Sequence, residues 1–194
     1  MYQSTSRQQI VVMLLLLGLM ILTRFHHFGS VTHLPDASWA IFIAGGFFLR
    51  RWSLFLLFMA SAVVIDYLAI TQFGVSGFCV SSAYGFLLPA HGALWLGGRW
   101  LGDHFARGWR VLPMLALTIV VSAAAAFLIS SGSFYWLSGR VGEASLAGFA
   151  AQTLRYFPWF LAVTAGYVTA IAVVWLAVDQ LDRFHRSHLP GGHA

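Results

Sequence analysis

The chain has no lysine, one cysteine and little charge of either sign: 9% of its 194 residues are charged. Ordinary soluble domains carry roughly 25%. With 59% hydrophobic residues and a mean hydropathy of +0.79, that scarcity excludes a sizeable soluble domain and predicts an integral membrane protein. A single cysteine excludes an internal disulfide and C-x-x-C chemistry. No G-x-x-x-x-G-K-[ST] occurs, so the chain has no phosphate-binding loop with which to hydrolyse ATP. The alternation over about ten residues that marks transmembrane β-strands is also missing. No repeat relates the two halves, which disfavours an inverted-repeat transporter.

What positive charge there is comes from 11 arginines, against 6 acids, for a net charge of +5. The arginines stand beside apolar runs, as topology signals do. Nucleic acid would need a basic stripe on a soluble face, so the expected partner is the lipid bilayer and not nucleic acid.

The N-terminus does not read as a signal peptide. Arg7 is alone in the first nine residues, and the run Ile10–Leu22 ends in "TRFHHF" without a small-x-small cleavage site. It is read as a first span. A hydrocarbon core of about 30 Å needs roughly 20 apolar residues per helix. The sequence predicts six spans, at about 8–24, 37–50, 52–71, 83–101, 111–131 and 157–179, in one all-α bundle covering 1–194. The second is short and is expected to take "PDAS" (Pro35–Ser38) as its first turn, with Pro35 or Asp36 at the cap.

Arg7, Arg50, Arg51, Arg99, Arg107, Arg110, Arg183 and Arg186 fall on one side, and Arg24, Arg140 and Arg155 on the other. The positive-inside rule then puts both termini in the cytoplasm. The loops at 25–36, 72–82 and 132–156 face outward, and they are rich in aromatics, Gly, Ser and His. Small residues four apart (Ala40 and Ala44; Ala93 and Gly97; Ala162, Gly166 and Ala170) predict close helix packing.

Asp66 is the one carboxylate well inside a span, with Tyr67 beside it. Such a residue faces a polar cavity or a neighbouring helix. Arg155, just before Pro158, either snorkels to a lipid phosphate or pairs with Asp66 or an anionic ligand. Pro158 opens the sixth helix or kinks a longer one beginning near Ser145. Tyr84, with Tyr135 and Trp136 in the opposing outer loop, is expected to form an aromatic wall for a large flat ligand. His91, two residues after Pro89, is read as hydrogen-bonding a backbone carbonyl. His26, His27 and His33 lie near the outer surface and give His91 no depth-matched partner for haem.

Cys79 lies in "FGVSGFCVSSAYG", next to Phe78 and flanked by Ser76, Ser81 and Ser82, which are expected to hydrogen-bond a thiolate or a ligand. One thiolate cannot hold a bare metal ion tightly. It can supply one axial bond to a metal already caged in a macrocycle, as Cys-ligated haem does.

In its size, six spans, inside N-terminus and "GFCVSSAYG" segment, the chain resembles the BtuM family, the cobalamin-specific substrate-binding subunits (S-components) of energy-coupling factor (ECF) transporters. The resemblance implies a bacterial cytoplasmic-membrane protein with an outward-facing cavity for cobalamin or cobinamide. It implies that Cys79 is the axial cobalt ligand and that Asp66 and Tyr84 are polar positions of the site. It further implies a scaffold subunit and two cytoplasmic ATPases as partners, and toppling in the membrane to release substrate. The first span reads "VVMLLLLGLMIL", with Gly18 its one small residue. The Ala-x-x-x-Ala motif with which many S-components dock the scaffold is absent, so the resemblance does not carry that contact with it. A second chemical expectation is thiolate displacement of cyanide from cyanocobalamin. The alternative from another class is a membrane redox protein that binds haem or uses a reactive thiol. A third reading, a structural membrane subunit without a ligand, leaves the aromatic outer loops unexplained.

Overall fold

The structure, a computed structural model, describes residues 6–24, 34–105, 108–109 and 111–188. It is all-helical, without a strand among the described residues. Its six helices are α1 (Ser6–Arg24), α2 (Ser38–Phe48), α3 (Trp52–Gln72), α4 (Leu87–Asp103), α5 (Val111–Leu137) and α6 (Leu146–His188). Two short 3-10 turns, Gly77–Cys79 and Ser82–Phe86, lie between α3 and α4.

Four helices, α1, α3, α5 and α6, are long and apolar enough to cross a membrane. Their outward faces are apolar too: Leu56, Leu57, Val63 and Val64 of α3 are exposed, while Phe55, Phe58, Ala62, Ile65 and Ala69 form its buried stripe. That stripe has helical period, and the exposed remainder suits a hydrocarbon solvent.

The expected second span, 37–50, contains a helix of 11 residues, about 16 Å long. Every residue of it except Trp39 is buried. A helix that is apolar all round and this short is a core helix enclosed by its neighbours. "PDAS" is not its first turn: the cap position is Ala37, and Asp36 stands one residue earlier, accepting from the Ser38 N–H at 2.9 Å.

Glycine lets α2 and α4 touch backbone to backbone. A Cβ on Gly46 would overlap the Trp95 carbonyl, and one on Gly98 would overlap the Ile43 carbonyl. Around this crossing Phe42, Phe55, Phe58 and Trp95 pack edge-on or tilted at 5.6–6.4 Å. Gly97 does bring α4 close to Ser122 and Thr118 of α5. The stripe of Ala162, Gly166 and Ala170 does not pack closely; its residues are exposed, and nothing lies within 4 Å of a Cβ built on Gly166.

α2 ends at Phe48 with Leu49 as its cap, and the next residue, Arg50, takes a φ of 61°. This is the left-handed position after a helix more usually given to glycine, and the Arg50 N–H reaches back to the Gly45 carbonyl at 3.2 Å. The Arg50 guanidinium hydrogen-bonds Asp103 at the end of α4 and holds that carboxyl below its ordinary pKa.

The fifth and sixth elements are longer than expected. α5 continues to Leu137, and α6 runs 43 residues from Leu146 with Pro158 inside it. Of the two roles considered for Pro158, the structure has the longer helix. Ser145 caps it: its hydroxyl accepts from the Gly148 N–H at 3.1 Å, and its carbonyl accepts from the Phe149 N–H at 2.9 Å. Phe127 of α5 meets Phe157 and Phe160 at 5.4 and 5.7 Å, fastening α6 on both sides of the proline. Residues 83–86, expected at the start of the fourth span, form the second 3-10 turn instead.

The chain therefore has two ends. One gathers the last turns of α1, α3 and α5, the start of α6 and the cysteine segment. The other gathers Arg7, Arg50, Arg51 and Arg99.

Candidate functional site

The cysteine end is built on a buried charge cluster. Arg24, the last residue of α1, is 5% exposed, and Asp66 in α3 is 4% exposed. The guanidinium donates to both carboxylate oxygens, Nε to Oδ1 at 2.7 Å and Nη2 to Oδ2 at 2.8 Å. Fork-to-fork pairing of this kind is the strongest ordinary ion-pair geometry. Nη1 turns the other way, to the Ser38 hydroxyl at 2.7 Å and to Asp36 at 3.3 Å. Ser38 in turn donates to Asp36 at 2.6 Å.

Two neighbours pin the chain just before α2. The Thr23 hydroxyl accepts from the Ala37 N–H at 3.2 Å, and the Tyr167 hydroxyl donates to the Pro35 carbonyl at 2.8 Å. The cluster thus holds both flanks of the segment 25–33. The histidines His26, His27 and His33 fall in that segment, outside the described residues.

Tyr84 joins the cysteine segment to this cluster. Its hydroxyl donates to Asp66 Oδ2 at 2.7 Å. Between α3 and Tyr84 the chain turns at Gly74, where φ is 66°. Val75 donates back to the Ala69 carbonyl at 3.1 Å, a glycine-dependent helix stop.

The serines, expected to hydrogen-bond a thiolate or a ligand, make these hydrogen bonds to backbone. Ser76 accepts from the Phe78 N–H and Ser81 from the Ala83 N–H, each at 3.3 Å, capping the two 3-10 turns. Ser82 donates to the Leu137 carbonyl at the end of α5 at 2.6 Å. Short hydroxyl side chains bond the nearest free backbone group first.

Cys79 closes the first of these turns; its side chain lies outside the described residues. On its two sides the loop is clamped by Arg140. That guanidinium donates to the Val80 carbonyl at 3.1 Å and lies 4.8 Å from the centre of the Phe78 ring. Phe78 also packs on Phe134 at 5.6 Å.

The remaining expected site residues scatter. Tyr67 is 65% exposed, on the outward side of α3 away from Asp66, because neighbours in a helix point about 100° apart. Tyr135 is in the last turn of α5 rather than in a loop. It is buried, its hydroxyl shared with the backbone of Ser145 at 3.2 Å and its ring on Phe149 at 5.4 Å. Trp136 beside it is exposed. Arg155 is exposed on α6, its guanidinium 5.5 Å from the Tyr156 ring; Asp66 has Arg24 in the place considered for Arg155. His91 behaves as expected of its ring, meeting the Leu87 carbonyl at 2.8 Å through Nδ1. Its buried Nε2 has no hydrogen-bond partner and faces aromatic surroundings, with the Phe42 ring at 4.4 Å.

Sequence reasoning missed Arg24, Asp36 and Arg140 as members of the site. Arg24 was sorted as a topology residue. Its place at the very end of an apolar run, near the depth of Asp66, was the available signal, since a buried carboxylate calls for a cation at its own level. Arg140 carried none.

Among the described residues, no three His, Cys, Asp or Glu side chains gather as a metal site. No family model and no curated protein matches the chain.

Proposed function

We propose that the chain is the substrate-binding membrane subunit of a corrinoid uptake system, with cobalamin or cobinamide as cargo and Cys79 as the axial cobalt ligand. The observation that carries this reading is the Tyr84–Asp66 hydrogen bond. It fastens the segment bearing the chain's one thiol to a buried charge cluster. An axial ligand must be presented from a fixed backbone, because a metal–sulfur bond tolerates little error in position. Arg140 at Val80, Ser82 at Leu137 and Tyr84 at Asp66 fix the backbone on either side of Cys79.

In this reading the macrocycle supplies the equatorial nitrogens, so one thiolate suffices. Phe78 and Trp136, both exposed at this end, offer apolar faces to the flat ring. Cyanocobalamin would exchange ligands there: the cobalt–sulfur bond forms, the cobalt–carbon bond to cyanide breaks, and cyanide leaves as the anion. All six helices lie within the membrane domain, both termini face the cytoplasm, and the cysteine end faces outward. The partners are the ECF scaffold subunit and its ATPases, docked without the Ala-x-x-x-Ala motif in α1.

Protein purified from cells supplied with cobalamin is expected to carry a corrin absorption spectrum. Cys79→Ala shifts that spectrum and weakens binding. An unchanged spectrum and affinity in Cys79→Ala overturns the axial-ligand assignment. A haem Soret band in place of the corrin spectrum moves the protein to the redox class. A membrane-impermeant thiol reagent is expected to label Cys79 in intact cells and to spare it when cobalamin is bound. Labelling only after permeabilisation reverses the orientation.

A further inference from the structure

α1 is held unequally along its length. Its buried residues are Leu16, Met20, Thr23 and Arg24, all in its second half. That half is anchored further by the Arg24–Asp66 pair and by the Thr23 hydroxyl on the Ala37 N–H. In the first half no residue is buried; Val12 and Met13 are partly buried against the core, and most of the others are exposed. Local stability follows buried contact. Gly18 stands at the boundary. Nothing lies within 4 Å of a Cβ built on it, so close packing is not what places a glycine there. A glycine inside a helix weakens it relative to alanine, and α1 bends most easily at this point.

Beside the loosely held half the bundle is open. A groove of about 1130 Å³ separates α1 from α6, with Val11 and Leu15 on one side and Ala170 and Val174 on the other. The α6 side is the fixed wall. Trp175 packs among Phe47, Phe48 and Phe105 at 5.6–6.2 Å, and the Tyr167 hydroxyl holds the Pro35 carbonyl at 2.8 Å. Opposite charges line the two sides: Arg7 on α1 and Asp179 on α6. Arg7 is exposed and makes no ion pair among the described residues. A carboxylate has sites for several donors, so Asp179 can accept from Arg7 beside the contact it already makes.

We propose that residues 6–15 of α1 form an arm that swings about the turn 16–18 and closes the α1–α6 groove, with an Arg7–Asp179 ion pair as the clasp of the closed state. The structure holds the open state. Closure lays Val11 and Leu15 on Ala170 and Val174 and brings the guanidinium to the carboxylate. The pivot leaves the Arg24 cluster in place, so the cysteine end need not move. The arm stays helical, because a chain in lipid has no other partner for its backbone groups. The inference rests on the chain lying in a membrane and is independent of the corrinoid reading.

The test is spin-label distance measurement on the full chain in lipid nanodiscs, in a Cys79→Ser background. One pair of labels bridges the groove, at Val11→Cys and Val174→Cys. A second joins the anchored half of α1 to α6, at Leu22→Cys and Trp159→Cys. All four positions are exposed. The groove pair is expected to give two distances and the anchored pair one. Arg7→Gln and Asp179→Asn each lower the short-distance population about fivefold, the weight of one exposed ion pair. Arg7→Asp combined with Asp179→Arg restores it. Gly18→Ala, which stiffens α1 without a clash, leaves the long distance alone. One distance for the groove pair in the wild-type arm, or two for the anchored pair, overturns the swing about 16–18. A short-distance population that neither neutralising variant moves, or that the charge swap does not restore, overturns the clasp. Amide exchange separates swinging from fraying: fast exchange throughout 9–15 overturns the helical arm.

Discussion

Arg24 and Asp66 stand 42 residues apart in sequence and meet through two parallel hydrogen bonds of 2.7 and 2.8 Å, both side chains buried. The same carboxylate takes the Tyr84 hydroxyl, and the same guanidinium takes Ser38 and Asp36. One ion pair therefore ties together α1, α3, the approach to α2 and the cysteine segment.

Removing the cation from this cluster is predicted to cost more than neutralising one carboxylate. Arg24→Met leaves Asp66 and Asp36 near each other without the guanidinium between them, and a broken buried pair costs about 3–5 kcal/mol. Asp66→Asn keeps an acceptor for Tyr84 and leaves Asp36 to Arg24. Thermal unfolding in detergent is expected to rank the wild type above Asp66→Asn and Asp66→Asn above Arg24→Met. The reverse order of the two variants would show that Asp36 and Asp66 do not share the cation.

Tyr84→Phe keeps the ring and removes the hydroxyl that reaches Asp66. A hydrogen bond to a charged group contributes about 1.5–3 kcal/mol. On the corrinoid reading proposed above, affinity for cobalamin is predicted to fall in Tyr84→Phe while the protein stays folded, as read by binding titration beside a melting curve. Unchanged affinity would detach Tyr84 from the ligand site.

Arg140→Ala is predicted to loosen the cysteine segment without unfolding the bundle. The residue is exposed, and it holds Val80 and Phe78 by one hydrogen bond and one ring contact. Hydrogen exchange over residues 74–82 should speed up several-fold while the melting temperature barely moves. Equal exchange in the two proteins would show that Ser82 and Tyr84 suffice to hold the loop.

The α2–α4 crossing gives a sharper mutational contrast. Gly46→Ala and Gly98→Ala each push a methyl into a backbone carbonyl on the facing helix, where no side-chain rotation relieves it. Each is predicted to cost about 1–3 kcal/mol or more. Gly166→Ala meets nothing within 4 Å and is predicted to be neutral or to gain about 0.5–1 kcal/mol of helix propensity. Melting temperatures of the three variants check both statements.

Helical membrane character was legible because hydropathy is a sum over local residues, and 59% hydrophobic content leaves few alternatives. A longer helix beginning near Ser145 with Pro158 inside it was one of the two options open from the sequence; the Ser145 cap that starts it was not named. The 3-10 turns at Gly77–Cys79 and Ser82–Phe86 were not foreseen, since the apolar residues Ala83 and Phe86 read as helix by composition alone. The small-residue spacing picked out Gly97 correctly and Gly166 wrongly. Spacing says that a helix has a smooth stripe, and it does not say that another helix lies on it.

At the candidate site, Asp66, Tyr84 and the cysteine segment could be named from the residues because a carboxylate in a span and a lone thiol are conspicuous in an apolar background. Their partners could not. That Arg24 and not Arg155 meets Asp66, that Tyr135 turns to Ser145 and that Tyr67 turns outward all depend on where separate helices lie relative to one another. The sequence by itself determined that the chain is a set of apolar helices with charges gathered at their ends, since transfer free energy is additive along the chain. The tertiary structure decided which charges meet, because a bond between residues 42 positions apart exists only once packing has brought two helix ends to the same depth and face.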